Sequence, residues 1–329
     1  MNYANRTKQN TIYWQLFFAI IISICCLYEI WATSSAIPNG QIWLDEIFHF
    51  LYNYPFISKI TISILLLLNV VFLLLLLRRL LLIEHRNYYL ALIYLLFLFV
   101  FPQTMNIWSM LVGFIIIAGM FPQVFNIDEE NIHSKTFAYG LCCGVLAVID
   151  FYFIFLLIFI YLICLLHRTY TFRSFILPII GASIAFIYLF SILYLADNYD
   201  VMHRLIDLVK DKFVFVPIVK RPIESSSYSL VCVCIVGIVS IISFFRILTK
   251  AGKVVISKRS KYYTFLFFVF AFTVLLFFFR SSIFLVMQGL LMLCAMIICL
   301  AMSHGKRNLF YKIVLFCLFI FSFLHVIFF

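Results

Sequence analysis

FAYGLCCGVLAVIDFYFIFLLIFIYLICLLHR, residues Phe137 to Arg168, is the stretch on which the reading of this chain turns. Up to its basic end it carries one formal charge, Asp150, with a small-residue half before it and a bulky aromatic half after it. An ionisable group deep in hydrocarbon costs about 2.5–3.5 kcal/mol on insertion scales, so it faces protein or water by default. Either Asp150 belongs to one bent helix, or it marks a turn between two short ones. The choice fixes the topology of everything on either side.

Composition sets the class. Of 329 residues, 66% are hydrophobic and only 11% charged, far from the make-up of a soluble domain. Runs such as Ile60–Leu77, Phe175–Leu195 and Ser282–Met302 are long enough to cross a hydrocarbon core of about 30 Å. Alternating period-two segments are absent, which argues against a transmembrane barrel. The expected fold is a single all-α polytopic transmembrane domain over residues 1–329. The net charge of +11 does not point to nucleic acid, because the basic residues cluster in short loops between apolar runs, where they act as orientation signals. The ten cysteines all lie in apolar segments without zinc spacing and read as small apolar packers. Arg6 and Lys8 precede an apolar run that resembles a signal peptide, but Ile12–Trp31 is long enough to span and no convincing cleavage site follows, so it is expected to be retained.

About eleven apolar segments follow one another. The first, Ile12–Ala32, leads into an outer loop over residues 34–54, in which Gln41–Tyr52 has the pattern of an interfacial helix. Phe56–Leu77 stops at Arg78-Arg79. Tyr88–Phe101 and Ile107–Phe121 are short and joined at Pro102-Gln103, which suits a hairpin tucked against longer neighbours, with Pro122 opening the next loop. Within Phe137–Val148, Gly140 and Gly144 stand four apart, a small-residue face that lets another helix approach closely. Phe151–Leu166 and Phe175–Leu195 come next, then an outer loop over residues 196–228, where Val201, Leu205, Leu208 and Val209 suggest an amphipathic surface helix. Tyr228–Phe245, a basic loop from Arg246 to Lys261, Tyr263–Phe279, Ser282–Met302 and Ile313–Phe328 complete the chain.

Charge decides the orientation. With Asp150 at a turn and the N-terminus inside, the inner parts hold 17 basic residues against 4 acidic, and the outer parts 7 against 9. Reading Phe137–Arg168 as one crossing would send the Arg246–Lys261 loop outside. The expectation is therefore a turn at Asp150, N-terminus in and C-terminus out.

That topology gathers candidate groups on the outer side. Asp45, Glu46 and His49 occupy the first outer loop, Asp150 and Tyr152 the second short hairpin, Lys220 and Arg221 the large outer loop, and Arg280 a tight outer turn. Carboxylates, a histidine and strong cations around an outward cavity suit phosphate binding and assisted proton transfer. Each has a plainer reading. Asp45 and Glu46 could solvate an interfacial helix, Arg280 could snorkel, and Lys220-Arg221 could attract anionic headgroups. Asp150 could be a turn residue or helix cap. The soluble-enzyme and nucleotide-binding signatures GxGxxG, P-loop, HExxH, GxSxG and CxxC are missing, and no metal-ligating set stands out.

The order of features also carries a resemblance. An outer DE-containing loop after the first segment is followed by short hairpins around FPQTMNIWSM, then by the Phe137–Arg168 stretch and RSFILPIIGASIAFIYLF. Over roughly residues 12–195 this cadence resembles an uncharacterised family of bacterial polytopic inner-membrane proteins. It is also similar to the GT-C superfamily, the integral-membrane glycosyltransferases that use polyprenyl-phosphate sugar donors. The latter likeness implies short hairpins in the fold and a catalytic carboxylate in the first outer loop, Asp45 or Glu46, acting as base or as ligand of a divalent cation. Three departures stand against it: the usual aspartate setting directly after the first helix is not reproduced, Asp150 lies where many such enzymes carry a lysine or polar residue, and no separate periplasmic domain is expected.

Three functions follow as expectations. The first is binding or processing of a lipid-linked, polyprenyl-phosphate-type envelope precursor at the outer leaflet of a bacterial inner membrane. In an enzymatic version Asp45 or Glu46 is the base, with Lys220, Arg221 and Arg280 holding phosphate. The second is a non-catalytic scaffold of an envelope complex. The third is a transporter using Asp150. The partners expected are membrane lipids, a polyprenyl-phosphate-linked substrate or an envelope complex, and not nucleic acid.

Overall fold

The computed structural model describes residues 2–32, 54–79, 89–125, 127, 130–166, 171–195, 227–251, 256–278, 283–303 and 308–328. Every regular element among them is helical. In chain order they are α1 (Asn2–Ala32), α2 (Pro55–Arg79), α3 (Tyr89–Val100), α4 (Ile107–Phe114), a π-helical stretch (Ile115–Met120) and α5 (Phe121–Phe125). Then come α6 (Ile132–Ile149), a 3₁₀ turn (Phe151–Phe155), α7 (Leu156–Leu166), α8 (Phe172–Leu195), α9 (Ser227–Ala251), α10 (Ile256–Phe278), α11 (Ile283–Ser303) and α12 (Asn308–Phe328). Eight of the helical stretches are long and apolar enough to cross a membrane, and three shorter apolar ones, Tyr89–Val100, Phe151–Leu165 and Leu309–Phe323, accompany them. The membrane class read from composition stands.

Two helices form the centre. α11 packs against α3, α4, α9, α10 and α12, and α3 packs against α1, α2, α11 and α12. From Leu90 to Val100 only Leu92 escapes full burial, and Cys294–Met302 of α11 is buried throughout. Helices this apolar on every side are stable only where protein or lipid surrounds them completely. The outer helices are one-sided. α1, α2, α8 and α9 expose large aliphatic and aromatic side chains, such as Phe17, Ile64, Ile187 and Ile241, which suit lipid.

The chain doubles back at Asp150. Tyr139 Oη donates to the Leu156 carbonyl at 3.0 Å across 17 residues. In one straight helix those residues would stand about 25 Å apart, so α7 returns along α6. α8 then runs parallel to α6 in backbone contact. A Cβ on Gly140 would land on the Pro178 backbone, one on Gly144 would come within 2.6 Å of the Ala182 carbonyl oxygen, and one on Gly181 would strike the Phe137 carbonyl. The glycine face expected from the sequence has its partner, and the partner is α8.

Three local expectations need correction. Pro122 does not open a loop; it lies inside α5, after the π-helical stretch. Phe121 N–H bonds to the Ile116 carbonyl, a wide five-residue turn that loosens the helix where a proline ring would crowd the preceding carbonyl. Arg246 and Lys250 belong to α9, and Lys258, Arg259 and Lys261 to α10, so five of the six cations of the expected basic loop are helical, while Lys253 lies outside the described residues. Lysine and arginine are good helix formers with stems long enough to reach headgroups from a final turn. Likewise α6 begins at Ile132 rather than Phe137, taking in Lys135. The expected interfacial helix Gln41–Tyr52 and the amphipathic helix of loop 196–228 lie outside the described residues.

Candidate functional site

Register between helices sets the depth of each chain reversal. Asn69 Nδ2 donates to the Met110 carbonyl at 3.0 Å, and Phe72 meets Phe114 edge-on, so α2 and α4 run parallel. Beyond Asn69, α2 climbs fourteen residues to Pro55, whereas α4 climbs only four from Met110 to its cap, Asn106. At 1.5 Å per residue along near-parallel axes, α2 overtops the α3–α4 turn by about 15 Å. By the same measure, α8 runs seven residues further beyond Ala182 than α6 runs beyond Gly144 to Asp150, about 10 Å. α11 starts at Ile283, five residues beyond Gln288. The Asp150 end of the bundle therefore has a recessed middle, bounded by α2 and α8.

The floor of this recess is polar in a controlled way. Between α3 and α4 the chain makes a 3₁₀ turn, Pro102–Thr104, in which Pro102 and Gln103 are exposed and Thr104 is buried, its hydroxyl donating to the Phe101 carbonyl at 2.8 Å. Asn106 caps α4: its Oδ1 accepts from Ser109 N–H at 2.8 Å, and its Nδ2 donates to the Gln103 carbonyl at 3.3 Å. Asp150 does the same work between α6 and the following 3₁₀ turn. Its backbone is extended (φ −142°, ψ 118°), its N–H donates to the Leu146 carbonyl at 2.9 Å, and its Oδ1 accepts from Tyr152 N–H at 3.3 Å. Asp150 is only 3% exposed, so this cap is enclosed by protein. Tyr152 is equally enclosed, at 3%.

Of the residues singled out in the sequence, Asp150 and Tyr152 are thus brought together at one cap. Asp45, Glu46, His49, Lys220, Arg221 and Arg280 lie outside the described residues. The chain nevertheless fixes where their segments attach. Residues 33–53 join the end of α1 to the start of α2, where Lys59 Nζ donates to the Trp31 carbonyl at 2.7 Å, a cation on the negative end of α1. Residues 196–226 leave from the overtopping end of α8, and residues 279–282 join α10 to α11.

Beneath the floor lies a second group that the sequence reading passed over. Asn69 of α2, Tyr94 of α3, Ser109 of α4 and Gln288 of α11 are each fully buried. Gln288 Nε2 donates to Tyr94 Oη at 2.7 Å, and the Asn69 amide faces the same hydroxyl. Met110 Sδ touches both amide nitrogens, at 3.6 Å from Asn69 and 3.8 Å from Gln288. Gly113 lets α11 close in, since a Cβ there would strike the Met292 Cε methyl and meet Gln288 Nε2 at 3.3 Å. Asn69 Oδ1, Ser109 Oγ and Gln288 Oε1 have no hydrogen-bond partner among the described residues. A buried polar atom in that condition costs about 1–3 kcal/mol. The signal was available: Asn69 interrupts LLLLNVVFL and Gln288 interrupts FLVMQGL, and amides inside such runs face other helices.

One ring links the two layers. Phe272 of α10 lies against Gly289, next to Gln288, and 6.4 Å from the ring of Phe153, three residues beyond Asp150. No protein family, curated protein or solved structure matches the chain. No three histidine, cysteine or acidic side chains come together among the described residues.

Proposed function

We propose that this is an integral inner-membrane protein of bacteria that binds or processes a lipid-linked, polyprenyl-phosphate-type envelope precursor at the outer leaflet. The recess at the Asp150 end carries this reading. Short helices stop below the ends of α2 and α8, and the segments bearing Asp45, Glu46 and His49, Lys220 and Arg221, and Arg280 all attach at that end. A lipid whose phosphate must stay near headgroup depth is suited by a bowl of that shape, with arginines to fork its oxygens. In the enzymatic version Asp45 or Glu46 acts as base.

The topology that goes with this function has eleven crossings, N-terminus inside. It counts the eight long apolar helices and the three short ones. The opposite end of the bundle supports it, since cations gather there on aromatic rings: Arg246 over Tyr311 at 5.6 Å and Lys312 over Tyr89 at 5.8 Å. Transport through Asp150 is less well served, because that carboxylate is already committed to a helix cap.

Native mass spectrometry of the purified protein tests the reading. A co-purifying polyprenyl-phosphate lipid is expected, lost from Asp45→Ala and Arg280→Ala variants that remain folded. Recovery of bulk phospholipid alone, unchanged in the variants, would replace this function with that of a scaffold.

A further inference from the structure

We propose that the junction of α2, α3, α4 and α11 is an internal hydration site, in which water is held by Asn69, Tyr94 and Gln288 in the interior of the bundle. The hydrogen-bond balance leads there. Asn69 cannot turn its amide around, because Nδ2 is the only atom of that group that can donate to the Met110 carbonyl. Its Oδ1 therefore faces a place where no donor stands among the described residues.

Gln288 can be turned, and the deficit survives the turn. With Nε2 on Tyr94 Oη, the amide oxygen is unpartnered and the phenolic proton must find another acceptor. With the amide reversed, Tyr94 donates to the oxygen, and the NH₂ group takes the place of the unpartnered oxygen, where no acceptor stands among the described residues. In either arrangement, then, an N–H or O–H lacks an acceptor while the Asn69 oxygen lacks a donor. Water supplies both, and buried waters typically make about three such bonds. A bare metal cation would pair with the amide oxygens but accept from neither the phenolic proton nor the NH₂ group, and Asn69, Tyr94, Ser109 and Gln288 supply no counter-charge. The inference stands apart from the lipid-linked reading, since it uses none of the residues invoked there.

Radiolytic footprinting of the intact protein in detergent tests it, because hydroxyl radicals formed from a bound water oxidise the side chains beside it. Met110, Met120 and Met296 are all fully buried, and Met110 alone is in contact with the two amides. Met110 is expected to oxidise on the order of ten-fold faster than the other two, as suits a thioether touching held water. Gln288→Leu should bring that rate down towards theirs; if this variant is not a single species on size exclusion, Asn69→Leu serves in its place. Equal rates for the three methionines in the unmodified protein would overturn the proposal. So would a fast Met110 that stays fast in a well-folded variant.

Discussion

At the scale of single residues, Asp150 is the most informative side chain, and its job is geometric. One residue in extended conformation, flanked by helix on both sides, reverses the chain, and its carboxylate oxygen takes the Tyr152 N–H of the following turn. Asp150→Asn keeps that acceptor, whereas Asp150→Leu removes it. Thermal unfolding in detergent should show the asparagine variant close to the parent and the leucine variant weaker by about 0.5–2 kcal/mol, the usual worth of a cap. Equal losses in both would mean that the charge itself is needed. Tyr139→Phe makes a parallel case. It deletes the bond that ties α6 to the Leu156 carbonyl, which keeps the N–H of its own helix as donor, and should cost about 0.5–1.5 kcal/mol in the same measurement.

At the scale of elements, the α6–α8 pair rests on the absence of side chains. Gly140, Gly144 and Gly181 let two backbones touch, and any Cβ at Gly144 would meet the Ala182 carbonyl and the Ala185 methyl. Gly144→Leu should force the helices apart and leave little monodisperse protein on size exclusion. Gly237 of α9 has nothing within 4 Å of the same position. Gly237→Ala should therefore be neutral or gain up to about 1 kcal/mol from helix propensity. This contact was half legible in the sequence. Four-residue spacing marks a close-approach face on one helix, but it cannot name the helix that uses it, since the partner's PIIGASIA reads only as another apolar run. Helix ends were the least legible. Basic residues at Arg246 and Lys258–Lys261 look like loop in a hydropathy reading, yet lysine and arginine extend helices readily once their charges reach the headgroups.

At the scale of the molecule, depth is the property that matters. The sequence carries the short segments openly, as apolar runs too brief for a comfortable crossing, and it carries the turn at Asp150 through charge asymmetry. It does not carry the recess, because relative height depends on register between helices, such as Asn69 beside Met110, that no single segment contains. Nor does it rank the polar residues: Asn69 and Gln288 lie 219 positions apart and meet only through Tyr94 and Met110. Cysteine scanning in a cysteine-free background tests both depth and orientation. Gln103→Cys should react with a small membrane-impermeant thiol reagent added from outside and be slow towards a bulky one, while Lys135→Cys should react only after the membrane is opened. The reverse sidedness would invert the topology proposed here.

The parallel α6–α8 contact also has a consequence in time. Parallel neighbours cannot be joined by a tight turn, so α7 must be made and laid down before α8 can reach the glycine face of α6. About 40 residues separate Gly140 from Pro178, and a ribosome adding about 5–20 residues per second needs roughly 2–8 s to supply them. For that interval the bare backbone groove of α6 is open to any other helix in the membrane. The nascent protein thus has a window during biogenesis in which a wrong neighbour, or an insertion factor shielding the groove, competes with its own α8.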